Sequence, residues 1–324
     1  MKNLLTLLAA IVLGFSSAQD DSSPVATTDM INRDVELPEL ATEIIPLNIT
    51  ALGQLLALDI EPAGIWCQTG STEYSAELME ERNMPIPSDT PCYSGEDGYD
   101  WEVIAALNAD LVIGWGQEEA DIAEAIVPFF GTQTYSVDGG DSFDMYDESL
   151  RAIAQLTGME EKAEEVIAAT RDRAEAYTSI IEDRATVLHM GTSDAEEFWV
   201  FGQPSLNCTL LDEIADCVAP GPASNFYANG TSEMVLSVDP DVILVVNRVG
   251  TDEALMEALA ANLLWGELSA VQEGRVYIMP HDSRPSSIWG INDYLDTVAP
   301  LIYPDLFPDG PLTNEQVQEI LANQ

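Results

Sequence analysis

Met159 to Arg184 reads MEEKAEEVIAATRDRAEAYTSIIEDR. Its apolar residues, Ala163, Val166, Ile167, Ala174, Tyr177 and Ile181, recur at steps of three and four, with the short Thr170 at the one missing step. That spacing predicts a helix with one buried face and with acids and bases on the other. Gly158 separates it from a preceding helical pattern, and Glu182-Asp183-Arg184 closes it before the strand-like run Ala185 to Met190. At a rise of about 1.5 Å per residue, a helix of about 25 residues reaches roughly 37 Å, enough to cross a domain. The stretch is therefore expected to be a strut joining two lobes.

A length of 324 residues exceeds what one core usually holds, and 46% hydrophobic residues suffice for burial. Lys2, the apolar run Leu4 to Phe15 and the small residues Ser16-Ser17-Ala18 form a secretory-type leader, with cleavage expected after Ala18. No cysteine lies near that point to carry a lipid, so the expected product is soluble, exported and periplasmic or extracellular. Residues 1–18 are read as the signal peptide, 19–27 as a disordered N-terminus, 28–141 as an N-terminal lobe, 142–184 as a helical segment containing the strut, and 185–324 as a C-terminal lobe.

The cysteines stand at positions 67, 92, 208 and 217, two in each half. An exported chain favours disulfides. Of the possible connectivities, Cys67 with Cys92 and Cys208 with Cys217 keeps each bridge inside one half. No Cys-x-x-Cys pair is present, which argues against redox and zinc-ribbon chemistry. Losing Lys2 with the leader leaves 10 bases against 57 acids, a formal charge of −47. Such a field repels nucleic acid and anionic membranes and discourages anionic ligands unless local bases offset it. No acidic run has the order of a calcium loop, so a solvated acidic surface suited to saline surroundings is the simpler reading.

Along the chain, strand patterns alternate with helical ones. Strands are expected at 31–37, 63–66, 111–114 and 134–137, with helices from Thr50 as cap through Leu58, at 101–107 and at 120–129. The second half repeats the alternation: strands at 187–190, 198–201, 241–246 and 275–279, and helices at 206–218, 232–236, 252–260 and 313–321. Alternation of this kind implies parallel sheets. Ligands of such sheets meet the chain just beyond the carboxyl ends of strands. Those positions hold Trp66, Trp115, Trp199, Arg248, His281 and Arg284, with Trp289 close behind. Aromatics and a few cations suit a large ligand with flat apolar faces and some anionic edges. The competing reading for the tryptophans is burial, for the arginines plain surface placement, and for His281 a hydrogen-bonded loop.

Five passages carry a resemblance. They are Thr28-Asp29 with Asn32 to Pro38; Leu52 to Ile65, containing Ala57-Leu58-Asp59-Ile60-Glu61-Pro62; Asp100 to Ile113; Ser232 to Leu236 running into Val238 to Leu244; and Trp265 to Tyr277. In this order they resemble the extracellular binding proteins of ABC importers for iron complexes and cobalamin, the group with one long interlobe helix. Asp59 stands where that family usually has glycine, and Ala109 replaces a proline. The resemblance implies an α/β fold of two lobes, each a mainly parallel sheet flanked by helices, joined by a single α-helix. It also implies that Glu102 and Glu233, one on each lobe, dock on arginines of a permease dimer. Trp115 falls where cobalamin binders carry tryptophan, and Phe226 where they carry an aromatic.

The expected activity is capture of a chelated metal compound by a monomeric carrier with no resident cofactor. A ferric siderophore comes first, because Arg248 and Arg284 would answer chelate oxygens; cobalamin and haem follow. A bare-ion binder would need several histidines, and only His189 and His281 exist. An exported enzyme is the rival from another class. No nucleophile elbow, His-Glu-x-x-His, Walker loop or complete Gly-x-Gly-x-x-Gly supports it.

Overall fold

A computed structural model of the chain describes residues 24–65, 86–87, 89–95, 98–132, 143–192, 197–202, 205–220, 227–247, 251–279 and 288–324. Its first elements, β1 (Val25–Thr28) and β2 (Asp34–Leu37), form an antiparallel hairpin turning on Asp29. Asp29 Oδ1 accepts the backbone N–H groups of Ile31 and Arg33 at 3.1 and 2.8 Å, while Oδ2 receives the Arg33 guanidinium at 2.9 Å and Gly131 N–H at 3.1 Å. A carboxylate this deeply buried is tolerable because every lone pair is used. Residues 25–27, expected to be disordered, are therefore corrected to strand. Pairing with a partner that sends Val35 and Leu37 into the core orders them.

The N-terminal sheet is parallel, in the order β3 (Ile44–Pro46), β6 (Leu111–Gly114) and β7 (Phe129–Gly131), with a short hairpin of β4 (Ser94–Gly95) and β5 (Gly98–Tyr99) between the first two in sequence. All four residues of β6 are buried, which matches their unbroken apolar run. Helix α1 (Ile49–Ala57) begins one residue before the expected Thr50. Its cap is Asn48, whose side chain accepts Ala51 N–H at 2.9 Å, and Thr50 is buried inside the first turn. Helices α2 (Trp101–Ala106) and α3 (Gln117–Ala123) follow. The helix expected over 120–129 is corrected: Pro128 disfavours helix before it, and Phe129 already belongs to β7. Only Ile65 of the predicted 63–66 strand makes a described bridge, to Cys92. The 134–137 strand lies outside the described residues.

Helix α4 (Phe143–Thr157) stops at Gly158, whose φ of +70° suits a residue without Cβ, and α5 (Glu160–Ile180) starts directly after it. The strut is real but shorter than the spacing to Arg184 suggests, about 31 Å at 1.5 Å per residue. Acidic Glu182 and Asp183 oppose the negative end of a helix dipole, so nothing favours prolonging it. Arg184 is used elsewhere, donating to the carbonyls of Asp212, Glu213 and Ala215 at the end of α6 (Leu206–Ile214). Ala163, Ile167, Thr170, Ala174 and Tyr177 are buried as the periodicity predicts. Arg173 is the exception: a cation on the buried face, 8% exposed.

At its N-terminal end, α5 is tied to the first lobe by Lys162 Nζ, 2.7 Å from Asp59 Oδ2. Farther along, it packs against α6 and the later helices α10 (Ile288–Ile302) and α11 (Asn314–Ala322). The C-terminal sheet runs β11 (Tyr227–Gly230), β9 (Phe198–Phe201), β8 (Thr186–Thr192), β12 (Val242–Asn247), β13 (Val276–Met279), with β10 (Asp216–Cys217) beside the start of β8. Strands β8, β10, β12 and β13 are parallel and β9 antiparallel. Helices α7 (Ser232–Val238), α8 (Asp252–Ala261) and α9 (Ser269–Gln272) connect them. Cys208 on α6 is bonded to Cys217 on β10, with Cα atoms 5.3 Å apart. Cys92 is also disulfide-bonded, and Cys67 lies outside the described residues. Among the described residues no helix is long and apolar enough to cross a membrane.

The two sheets are entered in the same way. After α2, Asn108 takes φ 51° and Asp110 precedes β6; after α7, Asp239 takes φ 39° and Asp241 precedes β12. Asparagine and aspartate tolerate that left-handed turn better than most side chains. Asp110 Oδ2 accepts Thr42 N–H, Thr42 hydroxyl and Glu43 N–H at 2.9, 3.0 and 3.0 Å, just ahead of β3. Asp241 Oδ2 accepts Thr186 N–H and hydroxyl at 2.8 Å each, at the head of β8. Each aspartate thus sets the register of the neighbouring parallel strand.

Candidate functional site

The carboxyl ends of the parallel strands carry Leu47, Trp115 and Thr132 in the first lobe and Thr192, Asn247 and Met279 in the second. Trp115, half-buried, follows β6 directly, and its position is enforced by Glu119, the third residue of α3. Glu119 Oε2 accepts the backbone N–H of Trp115 and, at 3.4 Å, that of Gly116; Oε1 accepts the Tyr99 hydroxyl at 2.9 Å. A glutamate reaching back over the start of its own helix satisfies donors that the helix leaves open. Burial first, then the Glu119 charge, raises the Tyr99 pKa, so the phenol stays a donor. The Tyr99 ring meets Trp101 edge-on at 5.7 Å, which completes a stiff support under the loop.

On the second lobe, Thr192 and Asn247 face each other in register at the last step of β8 and β12. Thr192 donates to the Glu197 carbonyl at 2.8 Å and Asn247 Nδ2 to Asp252 Oδ1 at 2.9 Å. Trp199 on β9 pairs with Gly191 on β8, and a Cβ added at Gly191 would lie 2.2 Å from the indole. Glycine is required there because the ring lies against the strand. Trp289, second in α10, is half-buried and packs on Leu52, Leu56 and Ile65 of the first lobe. It joins the lobes by packing.

Trp66, Phe226, Arg248, His281 and Arg284 lie outside the described residues. Glu102 and Glu233 are exposed, each the second residue of its helix, α2 and α7. A hydrogen bond with Thr231 heads the causes that hold the Glu233 carboxyl below its usual range. Among the described residues no group of three or more His, Cys, Asp or Glu is placed to hold a metal ion. His189 is fully buried, with Nδ1 3.1 Å from the Tyr294 hydroxyl and 3.2 Å from Asn207 Nδ2.

The sequence profile of the periplasmic binding protein family matches residues 57–283, more than half of the chain. The chain belongs to that family. It has two lobes, each with a mainly parallel sheet flanked by helices, joined through one long helix. It is 24% identical to the uncharacterized ABC transporter substrate-binding lipoprotein YvrC of Bacillus subtilis over 94% of this chain and 96% of that one. It is 20% identical to the Fe(3+)-citrate-binding protein YfmC of the same organism over 87% and 89% of the two chains. Both are named as binding proteins. Among solved structures, the triscatecholate siderophore binding protein FeuA of Bacillus subtilis superposes with a TM-score of 0.68 at 16% identity, covering 86% of this chain and 98% of that one.

Sequence reasoning missed Glu119, Thr192 and Asn247. The first had a signal: an acid three residues after Gly116, at the start of an amphipathic run, is half of a capping box. Thr192 and Asn247 had none, since short polar residues at strand ends are common.

Proposed function

We propose that this periplasmic binding protein captures a ferric siderophore outside the cytoplasmic membrane and hands it to the permease dimer of an ABC importer. The observation that carries the reading is the family membership, together with tryptophan-bearing strand ends on both lobes. The relative named for ferric citrate supports an iron chelate as cargo. Trp115, Trp199 and Trp289 supply flat apolar faces, and Trp66, Phe226, Arg248, His281 and Arg284 complete the proposed ligand set. Glu102 and Glu233, exposed at the same position of equivalent helices, are the proposed docking acids, since charged rim contacts fix register and speed encounter. The mature protein is a monomer that begins after Ala18, with Cys67 bonded to Cys92.

Tryptophan-fluorescence titration tests the proposal, with ferric siderophores, cobalamin and haem added to the parent and to Trp115→Ala. Saturable change with a ferric chelate, weakened in the variant, is expected. Response to cobalamin or haem alone would replace the cargo, and no response to any compound would remove the ligand assignment.

A further inference from the structure

We infer that the contact between α1 and α10 is a moving joint with two arrangements. One is seen here. In the other, the hydroxyls of Thr50 and Ser149 donate to the side-chain amide oxygens of Gln54 and Asn292, and cargo gripped by both lobes selects it. The inference goes beyond the choice of cargo, since it applies to any ligand that the two lobes hold together.

Polar bonds around α10 are unevenly shared. On the strut side, Asp296 of α10 takes both Arg173 and the Tyr177 hydroxyl. Helix α4 is fastened to the strut as well, by Arg171 to Asp144 and Asp147 and by Arg151 to Glu164. Toward α1 the contact is apolar, with Trp289 against Leu52 and Leu56. Among the described residues no hydrogen bond or ion pair joins α1 to α10. Gln54 Nε2 reaches the Tyr146 carbonyl of α4 at a long 3.3 Å. Just past the C-terminal end of α1, Asp59 holds Lys162 of the strut at 2.7 Å. The first-lobe helix is pinned at that end, while its length along α10 can slide by the small shear that packed helices allow.

The same seam concentrates buried polar atoms that have nothing to bond. Protein interiors leave few such groups unpaired. Of eight side-chain atoms of this kind among the described residues, four are Thr50 Oγ1, Gln54 Oε1, Ser149 Oγ and Asn292 Oδ1. Helical spacing brings them together. Gln54 is four residues after Thr50, Ser149 is three after Tyr146, whose carbonyl takes Gln54 Nε2, and Asn292 is three after Trp289, which lies on α1. Two hydroxyl donors and two amide acceptors form a matched set. A shift that pairs them relieves the cost of burying them unbonded, so the second arrangement lies close in energy and a ligand with a modest preference for it populates it.

The test uses the full chain with spin labels at Glu118→Cys and Glu253→Cys, exposed positions on the two lobes. Interlobe distances are read without ligand and with a ferric trihydroxamate or a ferric triscatecholate. Gln54→Leu, Asn292→Leu and Ser149→Ala are introduced one at a time, and where one fails to fold the other two decide. Urea midpoints of the unlabelled variants are expected at or above the parent's, because an unbonded buried polar group has been replaced by carbon. The shorter interlobe distance is expected to lose population in the variants, and the Kd of a bound chelate to rise roughly three- to tenfold. Lower urea midpoints throughout, or distance distributions identical to the parent's, overturn the joint. If neither chelate binds the parent, the cargo reading falls, and the distances in the ligand-free protein still decide the joint.

Discussion

Arg173 Nη1 lies 2.8 Å from Asp296 Oδ1 and 3.0 Å from Oδ2, joining the middle of α5 to α10 across the buried face of the strut. The same guanidinium donates to the Leu312 carbonyl at 2.8 Å and to Asn314, and the Tyr177 hydroxyl donates to Asp296 Oδ1 at 2.7 Å. Asp296→Ala would leave a mostly buried cation short of its counter-ion, a loss of about 3–5 kcal/mol. Urea unfolding checks it. A loss below about 1 kcal/mol would reduce the pair to an ordinary surface contact.

Glu119→Gln keeps the shape of the side chain but weakens its hold on the Trp115 loop. Charged hydrogen bonds are worth about 1.5–3 kcal/mol, so part of that should appear as lost stability. Trp115 emission should shift, and affinity for whichever chelate binds should fall several-fold. If thermal melting, emission and affinity all match the parent, Glu119 does not position the loop.

Gly191→Ala puts a methyl group where the Trp199 indole lies. The ring has to move or the strands have to part, at a cost of about 1–3 kcal/mol. Near-ultraviolet circular dichroism and melting temperature read both effects. Parent-like spectra and stability would mean that the ring does not press on β8 in solution.

Burial pushes the His189 pKa down to about 3. The unfolded chain, with an ordinary histidine near 6.5, binds the extra proton first. Stability attributable to this residue is therefore full above about pH 6.5 and falls with acidification toward about pH 3, at up to about 1.4 kcal/mol per pH unit. His189→Gln, compared with the parent by urea unfolding at several pH values, should flatten that slope. Parallel slopes would place the acid sensitivity in the carboxylates alone.

The strut and the alternation of strands and helices were legible because periodicity records burial, whereas the pairing of the segments around Glu102 and Glu233 came from the family resemblance. Arg173 was not. Its helical position is that of a core residue, but its partners, Asp296, Leu312 and Asn314, lie more than a hundred residues away. Helix α10 also escaped notice, although Ile288, Ile291, Leu295, Val298 and Ile302 are spaced for one buried face. Pro300 inside it argues locally for an earlier stop, and packing overrides that signal. Thr50 was read as the cap, whereas Asn48, also a good capping type, takes that place two residues earlier. At the candidate site, the tryptophans could be named from strand-end position. What holds Trp115 in place was missed, although an acid three residues after Gly116 marks half of a capping box.

The twin aspartate-headed strands are each preceded by a short helix with an exposed glutamate near its start, a local repeat between the halves that the amino acids barely betray. Under the docking role proposed for Glu102 and Glu233, each half would offer a transporter one carboxylate from the first turn of a helix.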